Sequence, residues 1–301
     1  MKTIFIDCNP QLGAVWKRVI RPDDPAVTIN SAPFDRNELP RVVGDYEIAI
    51  DDHSYMPTDL VAQCKSLKHV VFLGTGAASY MNVAELEAAG VKVHTIKGYG
   101  DTAVTEQTIA LMMAACRDLA RMDRNIRAGT WQPMEGVQVF GKTLGIIGLG
   151  GIGAEVARIA RGMGMEVIAW NRTPRTDANV TIVELDTLLQ KSDVVSLNLT
   201  LNDETRGFLD KARIARMKPG VILINTARGA LVDEAALIEA LKSGHIRHAG
   251  LDVFHNEPLK AGDPLARLEN VTLSAHAAFR TLEASMTLLR RAMDIVKRVQ
   301  T

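Results

Sequence analysis

The chain has 301 residues, 47% of them hydrophobic, with 35 basic and 35 acidic side chains and a formal net charge of zero. At roughly 150 residues per domain the length suggests two domains, and the apolar share supplies a sizeable core for each. No block of like charge stands out, which argues against nucleic acid or an anionic membrane as a partner. Cys8, Cys64 and Cys116 are odd in number and far apart, which argues against a disulfide or zinc framework and for buried free thiols in a reducing compartment.

Met1 to Asp7 reads as a first strand and not as a signal peptide, because no basic segment leads into a long apolar core. No uncharged apolar stretch reaches the roughly 18 residues of a membrane span. A soluble, cytoplasmic protein is the expectation. Up to about residue 97, short apolar runs alternate with helical or loop segments. Thr3 to Ile6, Glu47 to Ile50, His69 to Leu73 and Val91 to Thr95 read as buried parallel strands, and Leu60 to Leu67 and Val83 to Ala89 as helices between them. Gly90 stands where a helix C-cap glycine belongs. This alternation is that of an α/β layer architecture. Asp101 to about Ala120 reads as a helix apolar nearly all round, which must be buried on most sides. Its place is open between an ordinary core, a boundary between domains and a subunit contact.

The chain is organised around 142–153, Lys-Thr-Leu-Gly-Ile-Ile-Gly-Leu-Gly-Gly-Ile-Gly. An apolar run enters Gly-x-Gly-x-x-Gly, and Ile152, Val156, Ile159, Ala160 and Met163 then recur on one helical face. Strand, glycine turn and helix in this order form the context that the dinucleotide fingerprint requires. Gly148 allows the tight turn, Gly150 lets backbone approach a pyrophosphate, and Gly153 lets the helix pack close to the strand. Gly151 and Ile152 open the helix, whose N-terminal N–H groups attract phosphate. Met165 to Trp170, Val194 to Leu199, Val221 to Asn225, His248 to Val253 and Val271 to Leu273 complete a doubly wound sheet of about six strands. Asp233 to Leu241 reads as a helix, and Thr281 to Gln300 as a final amphipathic one.

The second strand of this unit ends Ala-Trp-Asn171-Arg172-Thr173-Pro-Arg175. The acid that accepts from a ribose 2′-OH in NAD-binding units is absent. Neutral Asn171 does not repel a 2′-phosphate, Arg172 can pair with one, Thr173 can donate to it, and Arg175 adds a second positive charge. The pattern favours NADP over NAD as cofactor. Three polar sites follow strand ends: Arg228 in 225–234, Asp252 and Glu257 in 250–258, and His276 in 273–279. None of His53, His69, His94, His245, His248 and His255 forms a convincing metal-ligand set, so no metal is expected.

Taken together, these pieces resemble the D-isomer-specific 2-hydroxyacid dehydrogenase family, in its glyoxylate and hydroxypyruvate reductase branch. The resemblance rests on the fingerprint at 148–153, Arg-Gly-Ala-Leu-Val-Asp-Glu at 228–234, Leu-Asp-Val-Phe-x-x-Glu-Pro at 251–258 and His276. The Gly74-Thr75-Gly76 loop and Val104-Thr105-Glu106 support it. It implies two doubly wound parallel-sheet domains: a Rossmann NAD(P)-binding domain, 98–280, inserted in a flavodoxin-like substrate domain, 1–97 plus 281–301. It implies that Arg228 holds the substrate carboxylate and polarises the 2-oxo group, and that His276 is the general acid in reduction. Imidazole suits that task, with an unperturbed pKa of about 6.5. Glu257 would bond the other ring nitrogen. Thr75 and Gly76 N–H groups, with Tyr99, would contact substrate. Asp252 would sit near the nicotinamide amide, and Thr226 and Ala227 would line the cofactor cleft.

The partners implied are a small 2-oxoacid or 2-hydroxyacid and a second copy in a homodimer. Hinge closure is expected near Lys97-Gly98 and Phe279-Arg280. His53, Ser54, Tyr55, Phe279 and Arg280 are further candidates for the substrate pocket. The chain departs from the family at Thr200 and Asn202-Asp203, where relatives tend to have prolines, and at Ala77 to Tyr80. No regulatory domain is expected after Thr301. Two other readings remain at this point: a nucleotide-sensing binding protein of the corepressor type, and a relative oxidising another small anion such as phosphite.

Overall fold

A computed structural model describes residues 1–173 and 180–300. The chain divides into two compact units, Met1–Gly100 with the segment from Arg280 onward, and Asp101–Phe279.

The first unit contains β1 (Thr3–Phe5), α1 (Pro10–Val19), β2 (Val27–Ile29), α2 (Leu39–Val43), β3 (Ile48–Asp51), α3 (Thr58–Val61), β4 (His69–Phe72), α4 (Val83–Ala88), β5 (Lys92–Thr95) and the C-terminal helix Leu282–Gln300. The sheet order is β2-β1-β3-β4-β5, with all pairs parallel. Because successive strand side chains face opposite ways, Ile4, Ala49, Val70 and Phe72 join one core. Phe5, Ile48, Ile50 and Val71 join the other, against Trp16 of α1 and Leu288, Leu289, Ala292 and Met293 of the C-terminal helix. Each fully buried large apolar side chain contributes roughly 2 kcal/mol.

A buried ion pair pins that helix to the turn after α1. Arg290 grips Asp24 through its two terminal guanidinium nitrogens, at 2.6 and 2.8 Å, and the Asp24 side chain is 1% exposed. The expected helix over 60–67 is shorter than its apolar spacing suggests. After Val61 the chain descends in i→i+3 turns, Val61 to Cys64 and Cys64 to Leu67, which bury Cys64 and Leu67 without continuing the helix. Strand β2 carries too little buried apolar surface to stand out in the sequence.

The second unit contains α5 (Asp101–Cys116), α6 (Leu119–Arg127), β6 (Thr143–Ile147), α7 (Gly151–Gly162), β7 (Glu166–Trp170), β8 (Thr181–Ile182), α8 (Leu185–Lys191), β9 (Val194–Leu197), α9 (Lys211–Arg216), β10 (Val221–Asn225), α10 (Glu234–Ser243), β11 (Ile246–Leu251) and β12 (Val271–Leu273). Its parallel sheet runs β12-β11-β10-β9-β6-β7-β8. The direction of winding reverses between β6 and β9, and ligands of such sheets bind beyond the carboxyl ends of the strands at that point. The seventh strand, β8, is two exposed residues long and leaves no apolar run to find.

The apolar helix expected over 101–120 ends at Cys116, and Asp118, at φ 50°, starts α6. Helix α5 packs on α7, β10, β11 and β12. Its Leu111, Met112, Ala115 and Cys116 share a core with Leu144, Ile146, Ile222 and Ile224. Being covered on several sides inside this unit accounts for its uniform apolarity. The three thiols are buried and free, and burial pushes those of Cys8 and Cys116 up to about 11. Among the described residues no helix is long and apolar enough to cross a membrane.

Candidate active site

Strand β6 delivers the chain into the glycine turn. Gly148 has φ +99°, a left-handed conformation that costs a side-chain-bearing residue about 1–2 kcal/mol, and its N–H bonds the Trp170 carbonyl at 2.9 Å. A Cβ on Gly153 would press against the Gly148 carbonyl, so only glycine lets α7 start this close to the strand. At Gly150 a Cβ would meet nothing within 4 Å. Gly150 is also the N-cap of α7 and provides no side-chain cap. N–H groups at a helix start that no side chain caps are what a pyrophosphate needs, so these residues fit a dinucleotide. Gly151 has a different reason, since a Cβ there would collide with the Asp101 carboxylate. Ile152 packs against the core beneath.

Past β7, the Asn171 side chain is taken up locally: its carbonyl accepts from Leu149 N–H at 3.1 Å and its amide donates to the Thr173 carbonyl at 2.7 Å. Asn171 therefore staples the glycine turn to the end of β7. Arg172 forms an exposed ion pair with Glu204, a partner the sequence did not suggest because 32 positions separate them. Thr173 is exposed. Pro174 and Arg175 lie outside the described residues.

Beyond β10, Asn225 organises the next loop, accepting from Ala227 N–H and donating to the Arg228 carbonyl. Thr226 is buried and shares a 2.8 Å hydroxyl–hydroxyl bond with Thr108 of α5. Among the described residues the Arg228 guanidinium bonds only its neighbour, the Ala227 carbonyl at 2.6 Å, and it is partly exposed. A loop thus built presents a cation that pairs with no carboxylate side chain among the described residues.

His276 Nδ1 lies 2.6 Å from Glu257 Oε2, with both side chains about one third exposed. The other carboxylate oxygen accepts from Phe254 N–H at 2.9 Å. Burial works to raise the Glu257 carboxyl. The His276 hydrogen bond, the Phe254 N–H and the charges of His276 and Arg228 outweigh it and hold that carboxyl below the usual range. Glu257 is thus an anion near neutral pH, and it fixes the ring nitrogen it touches.

His276 itself is held at φ +48°. Its N–H bonds the Asp252 carbonyl at 2.8 Å. The fully buried Asp252 carboxylate accepts from Ala277 N–H at 3.0 Å, Ala278 N–H at 2.9 Å and the Ser274 hydroxyl at 2.5 Å. Sequence reasoning named Asp252 for the cofactor, and the structure gives it these loop contacts. It missed Ser274, although the signal was at hand two residues before His276.

In the first unit, Gly74-Thr75-Gly76 follows β4, and the Thr75 and Gly76 N–H groups donate to no group among the described residues. Tyr99 packs against the core beneath the C-terminal helix. His53 bonds Asp52 at 2.9 Å and stacks edge-on against Tyr80. The Ser54 N–H and hydroxyl both donate to Asp7.

The remaining histidines have structural partners. His245 and His255 meet the Ile214 and Val232 carbonyls. Buried His248 sits between Asp118 and Thr272. His69 and His94 face each other at 3.1 Å, and burial lowers His94 to about 4. No group of three or more His, Cys, Asp or Glu among the described residues could hold a metal ion.

Comparison with known proteins agrees with this geometry. The sequence model described as "D-isomer specific 2-hydroxyacid dehydrogenase, NAD binding domain" matches residues 109–278. A hydroxypyruvate reductase of Thermotoga maritima is 35% identical over 277 residues, 90% of this chain and 89% of that enzyme. A D-3-phosphoglycerate dehydrogenase of Archaeoglobus fulgidus is 36% identical over 87% of this chain, which spans about half, 51%, of that longer enzyme. The crystal structure of an acyclic imino acid reductase in complex with NADPH and D-Arg superposes with a TM-score of 0.87 at 27% identity, covering 100% of this chain and 97% of that one. The chain belongs to the D-isomer-specific 2-hydroxyacid dehydrogenase family, and its second unit carries the family's nicotinamide-nucleotide-binding domain.

Proposed function

We propose that the chain reduces small 2-oxoacids to D-2-hydroxyacids and uses NADPH in preference to NADH, with glyoxylate and hydroxypyruvate as first candidate substrates. The observation that carries this reading is the 2.6 Å His276–Glu257 pair with Arg228 nearby in charge. When bound, the reduced nicotinamide supplies the hydride that reaches C2. Arg228 holds the carboxylate of the oxoacid through a charge-assisted pair and draws charge toward the 2-oxo oxygen. With Nδ1 engaged by Glu257, His276 Nε2 is the nitrogen that hands a proton to that oxygen. Glu257 stabilises the ring while it is charged. Thr75, Gly76 and Tyr99 are proposed as further substrate contacts, and Gly148, Gly150, Gly151, Ile152, Gly153, Thr226, Ala227 and Asp252 as cofactor contacts. Leu119, Ile126, Trp131 and Phe140 are exposed apolar side chains within one 22-residue stretch, and they support the expected homodimer.

The cofactor preference rests on the end of β7, where neutral Asn171 stands in place of an acid. Arg172 exchanges Glu204 for the 2′-phosphate of NADPH, which binds it more tightly than one carboxylate does. Measured with glyoxylate, kcat/KM favours NADPH by about tenfold, the equivalent of one charge-assisted hydrogen bond. Arg172→Ala removes most of that preference, and Glu204→Gln enlarges it. A wild-type preference for NADH overturns the cofactor assignment.

A further inference from the structure

We infer that Gln107 and Ser274 form a brace that positions the acid–base loop, with Gln107 acting through Ser274. This rests on the reading of His276 as the acid–base group. His276 occupies a left-handed backbone conformation, which a side-chain-bearing residue keeps only where the surroundings over-determine it. Three N–H groups of that loop, of His276, Ala277 and Ala278, end on Asp252. Asp252 is fully buried, so its carboxylate depends on every donor it has.

One of those donors is the Ser274 hydroxyl, which has a single proton and rotates freely unless something directs it. Gln107 directs it. The Gln107 amide Nε2 donates to Ser274 Oγ at 3.1 Å, so a lone pair of that oxygen is occupied and its proton turns to Asp252 Oδ1 at 2.5 Å. Gln107 is 167 positions from Ser274, and it sits on α5, the rigid core helix. The next residue of the same helix, Thr108, bonds Thr226 at 2.8 Å, in the loop that leads to Arg228. Two consecutive side chains of α5 therefore set the histidine loop and the arginine loop against one frame. Neither Gln107 nor Ser274 is assigned a contact with the reacting atoms, so both are positioning residues.

The test compares Gln107→Leu, Ser274→Ala, Ser274→Thr and the Gln107→Leu/Ser274→Ala double variant. Each is measured for kcat and KM with glyoxylate, for NADPH Kd, and for amide hydrogen exchange of the peptide spanning 274–279. Gln107→Leu and Ser274→Ala each lower kcat by about tenfold, the effect of one lost hydrogen bond at the site. They leave NADPH Kd within about twofold and speed exchange at Ala277 and Ala278. Ser274→Thr, which keeps the hydroxyl, restores both readouts. The double variant matches Ser274→Ala alone, because the two residues act in series. Multiplying losses in the double variant, or unchanged kcat and exchange in Gln107→Leu, overturn the brace. Failure of the wild type to reduce any 2-oxoacid, with exchange still responding as stated, overturns the functional reading and leaves the brace standing.

Discussion

His276→Ala lowers kcat for 2-oxoacid reduction by about three orders of magnitude while NADPH Kd stays within about twofold. General acid catalysis contributes roughly 10²–10⁴-fold, and among the described residues no second proton donor lies beside His276 to replace it. The neighbouring Glu257 is an anion and His255 is committed to the Val232 carbonyl. Steady-state kinetics and a fluorescence titration of NADPH separate the two quantities. A variant that keeps a tenth of wild-type kcat contradicts the assignment of the proton donor. Glu257→Gln is milder, because it keeps a hydrogen-bonding oxygen but loses the charge that supports the protonated ring. The pH dependence has a definite sign. The Glu257 carboxyl is held below its usual range, so the ion pair it supports is present above the ordinary carboxylate pKa and is lost as pH falls through the lowered one. The acid limb that reports Glu257 in kcat/KM therefore lies below the pH at which a free glutamate titrates.

The second large effect concerns stability. Arg290→Met lowers the stability of the first unit by about 3 kcal/mol, because it removes the hydrogen-bonded guanidinium that pairs the buried Asp24 carboxylate and leaves only the more distant charge of Lys297. For a unit of this size the midpoint of its thermal transition falls by roughly 10 °C in calorimetry. The Arg290 hydrogen bonds lower the Asp24 carboxyl to about 2, against the opposing effect of burial and with help from the Arg21 N–H. Since that folded-state value lies below the usual 3.8, the pair stabilises fully above about pH 5 and loses its contribution as pH falls toward 2. In Arg290→Met this acid-induced loss disappears, so the stability gap from wild type narrows as pH falls. A change below about 1 kcal/mol means that the pair adds nothing beyond an exposed salt bridge.

Much of the fold is legible in the sequence where burial is two-sided. Parallel strands such as Val221–Asn225 are apolar on both faces and appear as continuous runs. The short edge strands Val27–Ile29 and Thr181–Ile182 are hidden because an edge strand is half exposed and needs no such run. The glycine turn was readable position by position, with Gly151 as the exception: its need for a small side chain comes from Asp101, 50 positions away. The residues proposed to carry the chemistry stand out because Arg228, Glu257 and His276 each follow a strand end. Their supports did not. Gln107 stands between Glu106 and Thr108 with no motif to mark it, and only the third dimension brings it to Ser274. Arg172 carried a clear signal, and its partner Glu204 carried none, since an ion pair across 32 positions depends on how two loops fold over the end of the sheet.

The most direct test of the account is the oxidation of NADPH, followed by loss of its reduced-nicotinamide absorbance, against glyoxylate, hydroxypyruvate, pyruvate, phenylpyruvate and 2-oxoglutarate, with chiral analysis of each product that can be chiral. The account predicts turnover of at least one of these acids, formation of the D-isomer where the product is chiral, and loss of that turnover in His276→Ala. Tight NADPH binding with no turnover of any of the five contradicts it.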